Sequence, residues 1–254
     1  MNMHFSLIQP LPQREREAAY ERTRGGAYDD HQWLWERFFP APRDTPRDFL
    51  FRRLDGGVAA RFYAVSARPP RTDVPGWDVK VTGYAPQLSA GERLHFDLRA
   101  NPVTSHQGEV LLNPDGSPKL RMSGKRAGSA KHKGVRHDVV MNAKKRLLAE
   151  HGLARWGDWN DFDKPPLYEL ARQACGQWLI DSGPKLGFAV DECSLRVEAY
   201  TQHRGKNEKL RFSSVDFSGE LTVLDSGKLG EALTRGIGHA KAFGCGLLLV
   251  RRKE

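Results

Sequence analysis

The stretch DFLFRRLDGGVAARFYAVSA, residues 48–67, holds two apolar-rich runs, Asp48–Leu54 and Val58–Ala67, on either side of Asp55-Gly56-Gly57. Glycine supplies the positive φ that a tight reversal needs, so the stretch predicts a β-hairpin. Upstream, HQWLWERFF (31–39) places His31, Leu34, Trp35 and Phe38 on one helical face. Asp29 or Asp30 is the expected N-cap, and Pro40 and Pro42 end the helix. Met3–Ile8 alternates, with Met3, Phe5 and Leu7 on one side, as a strand does. The charged, Gly- and Pro-punctuated segment Pro10–Gly26 predicts a loop. Trp77–Tyr84 predicts a further strand. The first 88 residues thus come close to a βαββαβ order whose second helix is short or missing.

Gln87–Gly91 marks a boundary, after which the pattern restarts. In RLHFDLRANPV (93–103), Leu94, Phe96 and Leu98 share one face of a strand. A long polar segment runs to about Gly134. Val139–Glu150 and Pro166–Ser182 predict helices, and Phe188–Tyr200 and Leu210–Leu224 predict strands. A short helix, Gly227–Thr234, and a closing strand, Gly246–Arg251, complete the order. The expected fold class is α+β: two tandem ferredoxin-like domains with antiparallel sheets, at 1–88 and 89–254. Such sheets often bind RNA, though a fold alone does not give a function.

Charge narrows the partners. Lysines and arginines outnumber acids to give a net charge of +9. That excess suits a polyanion; a charge kept for solubility is the competing account, and distribution must decide. KLRMSGKRAGSAKHKGVRH (119–137) carries Lys119, Arg121, Lys125, Arg126, Lys131, His132, Lys133 and Arg136 without one acid. Its glycines predict a flexible arm whose long cations suit phosphates along a duplex, against a merely solvated loop. GIGHAKAFGCG (236–246) repeats glycine at Gly236, Gly238, Gly244 and Gly246 around His239 and Lys241. Exposed backbone N–H groups there could cradle phosphates; a tight connection before a buried strand is the competing account. It is not a P-loop. The three cysteines, Cys175, Cys193 and Cys245, form no CxxC and are expected to be buried free thiols. The histidines form no dense ligand spacing, so neither metal nor other cofactor is expected. No apolar run is long enough to span a membrane and no signal peptide is evident, which points to a cytoplasmic protein without a membrane partner.

GIGHAKAFGCGLLLV (236–250) resembles the C-terminal glycine-rich loop of the CRISPR-associated repeat-RNA endoribonucleases, most of all the CasE family of the type I-E (Cascade) system. RDFLFR (47–52), LRANPV (98–103), GVRHDVVMNAK (134–144) and SSVDFSGELTVLD (213–225) resemble the family in order along nearly the whole chain. The resemblance implies two ferredoxin-like domains, a basic insertion (about 104–137) and metal-independent cleavage of precursor CRISPR RNA at the 3′ base of its repeat hairpin. It also implies that the hairpin product is kept, making the protein a partner of the other Cascade subunits. The family's catalytic histidine stands in a context like YxxHxxLW, which carries over to His31, with Tyr28 as its partner. Some members have a lysine five residues later; here that position is Glu36, beside Arg37. Arg37 or Lys241 is the candidate cation.

RNA carries its own nucleophile, the 2′-hydroxyl. Removing its proton and expelling the 5′-oxygen gives a 2′,3′-cyclic phosphate and a 5′-hydroxyl. A histidine can serve as base or acid near neutral pH. A helix N-terminus favours neutral His31 whereas Asp29 and Asp30 favour its cation, so its role stays open. Tyr28 could hydrogen-bond the 2′-hydroxyl or a phosphate oxygen. Apart from the resemblance, His31 beside Leu34 and Trp35 reads as a satisfied core residue, and Trp33, Trp35, Phe38 and Phe39 as core. A non-catalytic hairpin-binding subunit is the alternative function. A DNA-binding regulator is a third, without a defensible helix-turn-helix spacing.

Overall fold

A computed structural model describes residues 3–22, 27–42, 45–54, 59–122, 127–160, 162–204 and 211–253. The side chains of 19–22, 27–28, 106–108 and 132–134 lie outside the description. The chain forms two compact units, one of Met1–Pro102 with Leu167–Glu254 and one of Val103–Pro166.

The first unit holds two antiparallel sheets. In the first sheet, β1 (Met3–Pro10) lies between β3 (Arg61–Ser66) and β4 (Trp77–Tyr84), and β2 (Phe49–Leu54) flanks β3. The order β2-β3-β1-β4 is that of a ferredoxin-like sheet. The hairpin register pairs Phe49 with Ser66 and Leu54 with Arg61, as the 48–67 stretch predicts; its turn, 55–58, lies outside the described residues. Two helices precede β2: α1 (Glu15–Arg22) and α2 (Ala27–Arg37). The first corrects the expected loop at Pro10–Gly26. EREAAYER is rich in good helix formers but has no apolar period, so propensity alone signals it. The expected N-cap is corrected too: α2 begins at Ala27, and Asp29 and Asp30 sit inside its first turn, where acids suit the dipole.

Leu34, Phe38, Phe39, Phe49, Phe51, Phe62 and Trp77 form the core between α2 and the sheet, as the aromatic run predicts. Trp33 packs edge-on to Trp77 with ring centroids 4.7 Å apart. The other sheet face is also covered. Leu50, Val65 and Leu247 form a second cluster with Met3 and Phe5 against it. Strand β2 therefore buries both faces.

In the second sheet, the path is β11 (Leu248–Arg252), β5 (Arg93–Ala100), β10 (Arg211–Val223) and β8 (Phe188–Val190), again ferredoxin-like; β9 (Arg196–Arg204) pairs with β10. One expected strand, Phe188–Tyr200, is thus two, divided by a turn in which Ser194 N–H donates to the Asp191 carbonyl. The helices are α4 (Leu167–Ser182) and α5 (Ser226–Arg235), α5 capped by Asp225 accepting from the Lys228 N–H at 3.0 Å. Arg52 of β2 ties the sheets together, meeting Asp97 of β5 at 2.7 Å, while within the second sheet Arg99 makes two 2.8 Å bonds to its cross-strand partner Asp216. Cys175 and Cys245 are buried, but Cys193 is exposed in the turn after β8, which corrects that expectation.

The second unit contains β6 (Val103–Val110) paired antiparallel with β7 (His132–Asp138), followed by α3 (Val139–Glu150). Asp138 caps α3 by accepting from the Val140 and Met141 N–H groups. The expected flexible arm is corrected in part: 132–137 lie in β7 and backbone hydrogen bonds tie Lys119, Arg121 and Lys131, while 123–126 lie outside the described residues. Both faces of the ribbon are polar, so hydrophobic alternation could not announce it.

No helix among the described residues is long and apolar enough to cross a membrane.

Candidate functional site

His31 stands in the second turn of α2 with its ring half-buried. It stacks on Phe49, centroids 5.5 Å apart and planes 15° from parallel, and Trp35 lies 5.8 Å away. Burial, and secondly the charge of Arg47, push its pKa from 6.5 down to about 4. The opposing effects foreseen in the sequence resolve toward the neutral imidazole. Asp30 is buried and engaged by Arg53 at 3.2 Å, so its charge is already answered.

The glycine-rich segment packs against α2 and β2. Gly236 ends α5 with φ +74°; an added Cβ would stand 2.9 Å from Leu50 Cδ1. Gly246, at φ +92°, leaves no room either, because a Cβ would lie 2.7 Å from the Ile237 carbonyl oxygen. Ile237 N–H donates to the Gly246 carbonyl at 2.8 Å, and Gly246 N–H donates to Arg99 of β5 at 2.6 Å. The loop is thus clamped at its base. Ala240 takes a left-handed conformation and starts a short 3-10 turn, Lys241–Phe243. Phe243 stacks on Phe212 at 4.6 Å, and Phe212 on His203 at 4.5 Å.

Lys241 is half-buried, and its ammonium donates to the Arg235 carbonyl at 2.6 Å. Burial first, and the charge of Arg47 second, lower its pKa. Arg47 therefore lies within electrostatic reach of both His31 and Lys241. No local sequence pattern assigns Arg47 a role. Its only signal was its place in the RDFLFR match, because an arginine before a strand carries no local mark of what it faces.

Arg37 does not join this cluster. It is exposed in the last turn of α2. Six residues beyond His31, it sits about 9 Å farther along the axis and about a third of a turn around. The Tyr28 side chain lies outside the described residues; the residue is the second of α2, three before His31. In the glycine-rich segment, Gly238 is exposed, His239 is half-buried, and Gly244 would bring a Cβ to 3.2 Å from the Phe51 ring.

The basic positions belong to the other unit. Lys119, Lys131 and Arg136 are exposed and Arg121 is half-exposed. Backbone bonds order this region beyond the two strands: Leu111 N–H donates to Lys131, Lys119 N–H to Leu111, and Lys131 N–H to Lys119. Arg121 N–H donates to Ser129 at 3.0 Å. Arg136 stands opposite Ser105 on β7. Lys125 and Arg126 lie outside the described residues, as do the side chains of His132 and Lys133.

The family model described as CRISPR associated protein matches residues 3–252. The chain belongs to this family. Its relatives place it with the CasE proteins. It is similar to the CRISPR system Cascade subunit CasE of Escherichia coli K12, 27% identical over 87% of this chain and 89% of that protein. It is also similar to the CRISPR-associated endoribonuclease Cse3 of Thermus thermophilus, 26% identical over 69% of this chain and 68% of that one. Among solved structures, Cse3 bound to a 19-nt RNA aligns over 98% of this chain and 99% of its own, with a TM-score of 0.62 at 21% identity. The two-sheet fold is thus a CasE-family fold.

Proposed function

We propose that this CasE-family protein is an endoribonuclease that binds the repeat hairpin of precursor CRISPR RNA and cuts at its 3′ base. Its relatives carry the names Cascade subunit and endoribonuclease, and a Cse3 structure represents a pre-cleavage RNA complex. The product hairpin is retained, and the protein joins the other Cascade subunits in the cytoplasm. Residues 1–88 form the domain that carries the histidine, and 89–254 the domain that carries the basic ribbon and the glycine-rich loop. The two sheet orders support that division.

The observation that carries the catalytic reading is a half-buried histidine, stacked on Phe49 and held neutral within reach of the Arg47 charge, which also reaches Lys241. Neutral His31 takes the proton from the 2′-hydroxyl. The 2′-oxygen forms its bond to phosphorus, the bond to the 5′-oxygen breaks, and the leaving oxygen takes a proton from water. The products are a 2′,3′-cyclic phosphate and a 5′-hydroxyl, and no step calls on a metal ion. In this reading Tyr28 orients the 2′-hydroxyl, as the family resemblance implies, and Lys241 steadies the phosphate. Exposed Lys119, Arg121, Lys131 and Arg136, with Lys125, Arg126, His132 and Lys133, hold the duplex backbone. Backbone N–H groups around Gly236, Gly238, His239 and Gly244 approach the RNA closely.

Incubation with an end-labelled repeat hairpin in EDTA tests the proposal. One cut leaving a cyclic phosphate is expected. Tight binding without a cut would instead identify a non-catalytic hairpin-binding subunit.

A further inference from the structure

We infer that Arg47 is a catalytic residue of the cleavage step, its guanidinium holding the scissile phosphate and stabilising the charge that builds on its oxygens. The inference rests on the endoribonuclease reading above.

Position is the first support. Arg47 leads into β2 two residues before Phe49, whose ring stacks on His31. It lines a cavity of about 260 Å³ together with Asp48, Phe49, Leu50, Thr234 and Arg235. The backbone carbonyl of Arg235 holds the Lys241 ammonium. The cavity thus lies between the segment that supports His31 and the segment that anchors Lys241.

Charge is the second support. Among the described residues no carboxylate pairs with the Arg47 guanidinium. Neighbouring Asp48 gives Oδ2 to Arg68 at 2.6 Å, while its Oδ1 is buried without a hydrogen-bond partner. Asp30, on the helix that carries His31, is engaged by Arg53. A partly buried cation without an anion is costly to keep, and burial lowers the pKa of Arg47 accordingly. Lys241 adds a second positive charge nearby. An arginine that no carboxylate pairs with among the described residues, lining a cavity and within electrostatic reach of a neutral histidine, is completed by an anion. In RNA cleavage that anion is the phosphate under attack. Arginine suits the task because its planar fork matches two phosphate oxygens and it stays protonated, so it donates hydrogen bonds throughout and takes no part in proton transfer.

Single-turnover cleavage of the repeat hairpin in EDTA tests this in Arg47→Ala, Arg47→Gln and Arg47→Lys, with His31→Ala as reference. Affinity is read separately on a hairpin with a 2′-deoxy nucleotide at the cut. Arg47→Ala and Arg47→Gln are expected to cut about 100-fold more slowly or worse, with affinity for the uncleavable hairpin changed only a few-fold. Arg47→Lys is expected to recover part of the rate. Should the alanine variant fail to fold, the glutamine and lysine variants give the same comparison at closer volume. Cutting within about threefold of wild type by the charge-removed variants, or a loss no larger than their loss of affinity, overturns the assignment. Wild-type protein that binds but never cuts overturns the endoribonuclease reading and this assignment together. Normal cutting by wild type and Arg47→Gln, with none by His31→Ala, overturns this assignment alone.

Discussion

The chain carries two concentrations of positive charge, and they are built in opposite ways. The ribbon and the segment that joins its strands hold Lys119, Lys131 and Arg136 exposed on hydrogen-bonded backbone, where each charge keeps its water. Arg47 and Lys241 are instead partly buried, beside a histidine that burial has made neutral. Exposed charges are individually weak and screened by salt; buried ones are few and strong. The first arrangement suits a contact repeated along a phosphate backbone, the second a contact that must act at one bond. Binding and cutting should therefore separate under mutation.

The sharpest separation is expected at His31. Removing a general base costs roughly 10²–10⁴-fold in rate. His31→Ala should lose that much in single-turnover cleavage while its affinity for the hairpin stays within a few-fold. If affinity fell in parallel with rate, the histidine would belong with the binding charges and the contrast would collapse.

The ribbon should show the reverse. Replacing Lys119, Arg121, Lys131 and Arg136 together by glutamine should weaken binding at physiological salt and flatten the dependence of log K on log salt. The slope should fall by about 0.7–0.9 for each phosphate no longer neutralised, a total of roughly three if all four side chains contribute. The cleavage rate at saturating RNA should remain near wild type. A filter-binding series from low to moderate salt, paired with saturating cleavage assays, reads both. An unchanged slope would mean that these cations only solvate the surface.

A third contrast lies inside the loop that carries Lys241. Gly246 and Gly238 both have positive φ, but their surroundings differ. A Cβ at Gly246 would press on the Ile237 carbonyl oxygen at 2.7 Å, whereas one at Gly238 would meet only the Asn101 carbonyl at 3.5 Å and the Trp178 ring. Gly238→Ala should cost the conformational penalty alone, about 1–2 kcal/mol. Gly246→Ala adds backbone displacement at the clamp to β5, and a loss of about 2–4 kcal/mol is expected in denaturant melts. Equal losses would show that the clamp yields freely.

What the sequence disclosed follows the range of the signal. Trp77–Tyr84 and Val139–Glu150 match their observed bounds because alternation and helical period are written in consecutive residues. The helix Glu15–Arg22 has no apolar period, and the ribbon is polar on both faces, so neither offered a hydrophobic rhythm. His31 was legible through its local context. Arg47 was not, because what marks it is its nearness to Lys241, and segments so distant in the chain meet only in the folded protein. Arg37, the candidate suggested by closeness in sequence, is carried by the helix away from the histidine.

The smallest expected effect is on stability, and its sign follows from the neutral histidine. In the unfolded chain His31 titrates near 6.5; in the folded protein burial, then the charge of Arg47, lower this to about 4. Between these values the unfolded chain takes up a proton that the folded protein refuses. The stability tied to neutral His31 is therefore fully present above about pH 6.5 and drains away as pH falls toward about 4. Because the ring is only half-buried, solvent reduces the full linkage to something on the order of 1 kcal/mol. Carboxylates throughout the protein protonate over part of the same range, and His203 is shifted downward as well, so wild type alone cannot isolate the effect. The difference between wild type and His31→Gln removes those shared contributions. Thermal melts at pH 7.5 and pH 5 should show wild type losing more stability on acidification than His31→Gln, by a few degrees at most. Arg47→Gln should narrow the gap, since one of the two causes of the shift is gone, while Lys241 remains as the other cation of the cluster and Asp30 stays engaged by Arg53. The four-glutamine ribbon variant should leave the gap intact, because its charges stand in water on a separate unit. A gap that tracked the ribbon instead of Arg47 would mean that overall charge, and not the local burial of His31, sets the protonation of the site.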